Sequence, residues 1–216
     1  MRKYFKLLTL VVLLPLTSSI VSAQNEAFRI KGGLNLSTLN TDNSDNSYKA
    51  GYMAGFSYLI PLVSNFSVQP EVLFSTFGSK AEFKNTFANL ELSNGQTDFR
   101  LDYIDIPVLL SYAVTDNLHF NLGPYAAILL NAKSETTAEI LNSINVTSSD
   151  DLDEKYFNKV DYGVVAGLEL NFAPVFAGVD YKIGINPVAK QDDDLAETLL
   201  KDSKNRVIQV YVGLQF

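Results

Sequence analysis

The amino-acid sequence predicts an all-β fold, namely an eight-stranded antiparallel transmembrane β-barrel. Three observations lead to this prediction. Apolar and polar residues alternate over most of the chain, short and long connections follow one another between the alternating segments, and most glycines fall on the polar side of the alternation. Because successive side chains of a strand lie on opposite faces of its sheet, the alternation predicts strands with one apolar and one polar face.

The first alternating segment begins at Phe28, with apolar residues on one parity and charged or polar residues on the other. Seven more segments follow the same pattern. Together they predict strands over residues 28–37, 48–60, 66–75, 99–112, 118–131, 160–172, 175–186 and 208–216. Strands of this kind, roughly 10–14 residues long, can cross a bilayer when they are tilted.

One predicted strand, over residues 99–112, changes phase. Its apolar residues are odd-numbered as far as Tyr103 and even-numbered from Val108 onward. Proline has no backbone N–H to donate and occurs in sheets mainly at edges and bulges. We therefore expect a β-bulge near Ile106-Pro107.

The connections alternate in length, with short turns at 61–65, 114–117 and 173–174 and longer loops at 39–47, 79–98, 133–158 and 188–205. Short periplasmic turns, long external loops and an even strand number are typical of outer-membrane barrels. The alternative is a soluble sandwich or lipocalin-like barrel, whose apolar residues would face inward.

The positions of glycine and of the aromatic residues favour the membrane barrel. Small residues on the polar face would leave room for large ones inside a narrow barrel. Nine of the twelve glycines lie on that face: Gly33, Gly51, Gly55, Gly123, Gly163, Gly167, Gly178, Gly184 and Gly213. Aromatic residues on the apolar face lie near strand ends and predict two girdles: Phe28, Phe66, Phe172 and Phe216 at the periplasmic rim, and Tyr48, Phe99 and Tyr162 at the other.

Residues 1–23 have the features of a secretory signal peptide. A basic start is followed by an apolar run over residues 7–16 and by the small-residue cleavage site Val21-Ser22-Ala23. The run is far shorter than the ~20 residues that a membrane-spanning helix needs. We therefore expect export with cleavage of the signal peptide, which leaves a barrel domain over residues 24–216 in the cell outer membrane.

Charge and cysteine content exclude several classes of protein. The signal peptide contains three basic and no acidic residues, so its removal changes the net charge from −7 to −10. So acidic a chain is not expected to bind nucleic acid, which requires a basic face. The absence of cysteine excludes a disulfide framework and a lipoprotein anchor.

Few residues suggest catalysis or metal binding. His119 is the only histidine and is expected to be structural, since no Gly-x-Ser-x-Gly motif or phosphate-binding loop accompanies it. We expect no enzyme activity and no cofactor. Loop acids at 150–154 and 192–194 could bind calcium but lack the spacing and glycine of an EF-hand. Solvated surface, with an acid capping a short helix over 195–201, explains them better, so no metal site is predicted.

Charged residues on the polar face would point into the barrel. Buried charges must pair and form hydrogen bonds, because their desolvation is otherwise too costly. The sequence therefore predicts an interior network that fills and rigidifies the barrel, formed by Arg29, Lys31, Lys49, Glu71, Asp161, Glu169, Asp180 and Lys182.

Several short motifs resemble the outer-membrane β-barrel domain family of Bacteroidota, whose members are often called porin-family or PorT-like. The motifs that carry this resemblance span the mature chain: Gly32-Gly33-Leu34-Asn35, residues 69–74 (QPEVLF), residues 101–107 (LDYIDIP), residues 121–125 (NLGPY), residues 162–167 (YGVVAG) and residues 212–216 (VGLQF). The chain end also resembles the signal that the barrel-assembly machinery recognises, formed by Ile208, Val210, Val212, Leu214 and Phe216. The resemblance implies a fold and a location, but no single activity.

Three functions are compatible with these features. The first is a structural or interaction barrel whose acidic external loops contact envelope partners or the surroundings. The second is narrow, porin-like transport of small solutes. The third is an accessory barrel of a secretion system. An eight-stranded barrel is generally too narrow for an open channel, which favours the first.

Overall fold

A computed structural model describes residues 27–40, 47–87, 90–140, 144–151, 158–188 and 203–216. The predicted signal peptide and the loop segments at 152–157 and 189–202, with the predicted helix over 195–201, lie outside these ranges. The described chain forms nine strands: β1 (Ala27–Asn40), β2 (Ser47–Pro61), β3 (Phe66–Phe87), β4 (Leu90–Ala113), β5 (Leu118–Ile140), β6 (Ile144–Asp151), β7 (Val160–Phe172), β8 (Val175–Gly184) and β9 (Lys204–Gln215).

Eight of these strands close into a barrel, as the alternation predicts. Each pairs antiparallel with its neighbours in the order β4-β3-β2-β1-β9-β8-β7-β5, and the β4–β5 pairing completes the ring. The ninth strand, β6, pairs only with the outer part of β5, from Lys133 to Ile140. In the described ranges, no helix is long and apolar enough to cross a membrane.

Two of the predicted loops are instead largely strand, and three strands are far longer than expected. Strands β3, β4 and β5 contain 22, 24 and 23 residues. Most of the segment 79–98 continues the β3–β4 ladder, and most of 133–158 forms the β5–β6 hairpin. Extending a ladder pairs backbone N–H and C=O groups that an irregular loop would have to satisfy separately. We call this end of the barrel the loop end and the opposite end, with the three short turns, the turn end.

The predicted bulge at Ile106-Pro107 is wrong. Strand β4 keeps one phase, and its pairing with β3 runs without a shift from Tyr112 to Phe99. Leu101 and Tyr103 are buried inside the barrel, whereas Ile106 and Val108 are exposed on the outer face. The irregularity falls instead between β4 and β5, at Asp102 and Tyr103.

The two faces of the barrel differ in chemistry. The outer face exposes large apolar side chains from every barrel strand, including all of the expected girdle residues except Phe99, whose side chain lies outside the description. All nine glycines of the polar face lie on the inward face of their strands. An apolar outer band and a polar inner face are the arrangement of a membrane barrel.

The outer face supplies a first testable prediction. Val164 is 42% exposed on the outer face of β7, so Val164→Arg places a charge against lipid and is expected to destabilise the folded barrel by ~2–4 kcal/mol near the membrane midplane. The measurement is urea unfolding in lipid vesicles. Val63→Arg is the matched control, because Val63 is 70% exposed in a short turn. Equal effects at the two positions would contradict the assignment of the lipid-facing surface.

Candidate functional site

The barrel interior is the candidate site, because it collects the charged side chains of the inward face. Seven of the eight residues of the predicted network are buried there: Arg29, Lys31, Glu71, Asp161, Glu169, Asp180 and Lys182. The eighth, Lys49, has the same parity on β2 but lies nearer the loop end and is half-buried.

Three ion pairs join distant strands across the interior. Arg29 Nη2 lies 2.6 Å from Glu169 Oε1, which links β1 to β7. Lys31 Nζ lies 2.7 Å from Glu71 Oε2, which links β1 to β3. Lys182 on β8 forms an ion pair with Asp105 on β4. None of the pairs joins neighbouring strands: Lys31 and Glu71 lie two strands apart around the ring, and the members of the other two pairs lie three strands apart. The members of each pair compensate each other's loss of water.

Each of the three paired cations also lies against an aromatic ring, with Lys182 Nζ 5.2 Å from the centre of the Tyr125 ring. The Arg29 guanidinium is centred 3.7 Å from the Phe176 ring, and Lys31 Nζ is 4.3 Å from the centre of the Tyr211 ring. Arg29 Nη1 donates to Gln69 Oε1 at 2.6 Å. Such stacking favours a cation that is already desolvated. The result is a continuous packed cluster of charged, amide and aromatic groups.

Glycines opposite the aromatic residues make this packing possible. Phe176 is paired with Gly213, and Tyr211 with Gly178, across the β8–β9 ladder. A Cβ at Gly213 would lie on the Phe176 ring, and one at Gly178 would lie 2.5 Å from the Tyr211 hydroxyl. Small and large residues thus complement each other across the inner wall.

Among the described residues, Asp161 has no ion-pair partner in the interior, and Asp180 has only a long ion pair. Asp161 Oδ2 accepts hydrogen bonds from the Tyr125 hydroxyl at 3.0 Å and from Asn205 Nδ2 at 2.9 Å. Asp180 Oδ2 is 3.9 Å from Lys31 Nζ, a longer separation than in the three ion pairs.

The sequence interpretation missed Asp105 and an apolar part of the interior. The expected phase change in this strand left the face of Asp105 unassigned. The even-numbered residues from Ile104 to Tyr112 are all apolar, however, and this pattern places the odd-numbered Asp105 on the inward face. The apolar part includes Phe77, Leu101, Tyr103, Leu129 and Val207. Its residues share the parity of the polar ones, so alternation alone could not assign them to the interior.

Side chains also satisfy the backbone where the β2–β3 ladder shifts register, between Tyr48 and Met53. Thr76 Oγ1 accepts from the Tyr52 N–H at 2.8 Å, and Asn35 Nδ2 donates to the Tyr52 and Thr76 carbonyls at 3.2 and 3.1 Å. Lipid cannot supply such partners, so the interior must provide them.

His119 does not form a catalytic arrangement. Its Nδ1 is 3.5 Å from Ser111 Oγ, at the limit of a hydrogen bond. The neighbouring acid, Glu169, uses one carboxylate oxygen for Arg29 and the other for Tyr211. The described residues contain no group of three or more acidic or histidine side chains placed to hold a metal; the acids at 152–157 and 189–202 lie outside the description.

The predicted assembly signal lies on the outer face of β9, next to β1. Val210, Val212, Leu214 and Phe216 are exposed there, while Ile208 is half-buried. The Phe216 N–H donates to the Phe28 carbonyl at 2.8 Å, so the last residue still takes part in closing the ring.

Several proteins of known structure are similar to this chain. Among solved structures, the chain is similar to Ail, the attachment invasion locus protein of Yersinia pestis (12% identity, 89% of this chain and 100% of that chain, TM-score 0.46). It is also similar to Neisserial surface protein A (14% identity, 88% of this chain and 99% of that chain, TM-score 0.46). A third similar structure is OprG from Pseudomonas aeruginosa (12% identity, 88% of this chain and 95% of that chain, TM-score 0.33).

No curated protein sequence matches the chain. The family model for the outer membrane protein beta-barrel domain matches residues 22–190, which is well over half of the chain. Its match, the closed ring of eight strands and the apolar outer face together place the protein in the cell outer membrane. The chain therefore belongs to the outer membrane protein β-barrel domain family.

Proposed function

We propose that this barrel is filled rather than conducting, and that it serves a structural or interaction role through its acidic external loops. The observation that carries the proposal is the inaccessibility of the interior. Arg29, Lys182, Phe176, Tyr103 and Tyr211, which are all large, are each 1% exposed. A water-wide path along these side chains would leave them accessible to solvent.

Charge pairing supports the same function. A conducting pore needs charged groups that face water and can exchange partners with a passing ion. Here Arg29, Lys31 and Lys182 are each engaged by a carboxylate from another strand. Separating one charged side chain of such a network from its partner leaves a buried, unpaired charge. The network therefore favours a rigid interior over the transport of ions.

The finer parts of the proposal rest on the sequence resemblance. We place the protein among the porin-family or PorT-like barrels of Bacteroidota and expect the barrel-assembly machinery to recognise Phe216 and the apolar residues before it. Recognition of envelope partners is assigned to the long loops, where most of the acidic residues lie. Narrow solute transport and a secretion accessory role are the alternatives.

Planar-bilayer recordings test the filled barrel. We expect the purified protein to give no stable conductance steps, and its unboiled form to migrate anomalously on a detergent gel because the closed ladder resists mild denaturation. Phe176→Ala should increase ion leakage by removing a ring from the packed interior. Phe172→Ala is the matched control, since Phe172 is exposed on the outer face.

Discrete, reproducible channel steps from the unaltered protein would reject the filled barrel and favour porin-like transport. Equal leakage from Phe176→Ala and Phe172→Ala would show that the interior cluster does not form the barrier to ions.

A further inference from the structure

One interior acid, Asp161 on β7, has no cation to compensate its charge. It is 3% exposed, and it forms no ion pair with any described residue. Its Oδ2 accepts hydrogen bonds from the uncharged Tyr125 hydroxyl and Asn205 amide, and its Oδ1 has no hydrogen-bond partner among the described residues. Burying an isolated carboxylate is so costly that such a group usually takes up a proton and becomes neutral.

Among the described residues, the groups that face Asp161 from other strands supply no cation that is not already paired. These groups are Tyr103 and Asp105 on β4, Tyr125 on β5, Lys182 on β8 and Asn205 on β9. Lys182 is the ion-pair partner of Asp105, and tyrosine hydroxyls are uncharged near neutral pH. Lys159, two residues before Asp161, is exposed to solvent. The charge of Asp161 must therefore be neutralised in another way.

A single proton would satisfy two buried oxygens in this cluster. Asn205 is 1% exposed, and its Nδ2 already donates to Asp161 Oδ2 at 2.9 Å. Its Oδ1 has no hydrogen-bond partner among the described residues, which is also the case for Asp161 Oδ1. Both oxygens are only acceptors while Asp161 is ionised, but a protonated carboxyl group has an O–H that can donate. The two side chains can then be joined by two hydrogen bonds instead of one.

The contact between Asp161 and Asn205 crosses the last residue of β8. This strand ends at Gly184, which is paired with Gly163 of β7. A Cβ at Gly184 would lie 3.2 Å from Asp161 Oδ1 and 3.2 Å from the backbone N of Asn205. The missing side chain of Gly184 therefore leaves room for Asp161 to reach Asn205. The contact links β7 to β9, which are not neighbours in the ring.

We propose that Asp161 binds a proton in the folded barrel at neutral pH and donates it to Asn205 Oδ1. In the unfolded chain the same carboxyl group lies in water and loses its proton above about pH 4. The folded state then holds one proton more than the unfolded state, so a rise in pH favours unfolding. Asp161 is thus a pH-sensitive link between β7 and β9, and the barrel becomes less stable as the medium becomes alkaline.

Urea unfolding in lipid vesicles tests the inference through the isosteric variant Asp161→Asn. Asparagine places an N–H donor where the acid has its O–H, and it cannot ionise. The unfolding constant of the native protein, divided by that of the variant, should rise about tenfold per pH unit between about pH 5 and 7, because one proton is released on unfolding. Asp116→Asn is the matched control, since Asp116 is exposed in a short turn. The corresponding ratio for this control should not change with pH over the same range.

Infrared difference spectra of the folded native protein and Asp161→Asn at neutral pH give an independent readout. The native protein should show the C=O band of a protonated carboxyl group, and this band should be missing from the variant. A stability ratio for Asp161→Asn that does not change with pH would overturn the inference, as would a carboxylate band in place of the acid band. Failure of Asp161→Asn to fold would also contradict it, because a neutral isostere should replace a neutral acid. A ratio that follows the sodium concentration at constant pH would show a bound cation instead of a proton, which is a further contradiction.

Discussion

Deleting residues Val212–Phe216 is expected to prevent closure of the barrel. These residues supply the end of β9, whose register joins Leu214 to Ile30 of β1 and to Val175 of β8. Without them, β1 and β8 each keep an unpaired edge at the turn end, and unpaired backbone groups are not tolerated in lipid. The measurement is the amount of heat-modifiable protein in the outer-membrane fraction, which should fall below detection.

The same experiment separates closure from recognition by the assembly machinery. Phe216→Ala keeps the backbone pairing of β9 but removes the terminal aromatic residue of the predicted assembly signal. In cells, both variants should assemble poorly. In refolding into detergent micelles, which needs no assembly machinery, only the deletion should fail. Normal refolding of the deletion would refute a requirement for these residues in closure.

Replacing Lys182 by methionine is expected to destabilise the barrel by about 3–5 kcal/mol. Lys182 and its partner Asp105 are 1% and 0% exposed. Lys182 contacts Asp105 Oδ2, and Asp105 Oδ1 has no hydrogen-bond partner among the described residues. The substitution leaves the Asp105 carboxylate buried without a cation. The change in the free energy of unfolding can be measured with urea in lipid vesicles.

A double-mutant cycle isolates the pair. Lys182→Met combined with Asp105→Leu removes both charges and should recover most of the lost stability, because apolar residues of similar volume can replace a buried pair. Lys204→Met is the control for losing a lysine on the outer face of the barrel and should change stability by well under ~1 kcal/mol. If the changes in unfolding free energy caused by Lys182→Met and Asp105→Leu are additive in the double variant, Lys182 and Asp105 do not stabilise each other.

The interior packing could be predicted only in part. Alternation places Phe176 and Tyr211 on the inward face together with glycines, and the parity of a strand requires no knowledge of its neighbours. That Phe176 lies opposite Gly213, and Tyr211 opposite Gly178, depends on the β8–β9 register. A shift by two residues would keep every side chain on the same face and still separate each ring from its glycine.

Except for the start of β4, where Leu101 and Tyr103 face inward, the sequence by itself determined which side of each strand faces lipid. It also determined how many strands close the ring, because both features follow from a period of two and from strand length. Tertiary structure alone decided which charges meet. Arg29 pairs with an acid 140 residues away and Lys182 with one 77 residues away, and such partners depend on the stagger accumulated around the closed barrel. Tertiary structure also decided that segments 79–98 and 133–158 are mostly strand. Their residues extend because a neighbouring strand offers backbone partners, which local sequence does not reveal.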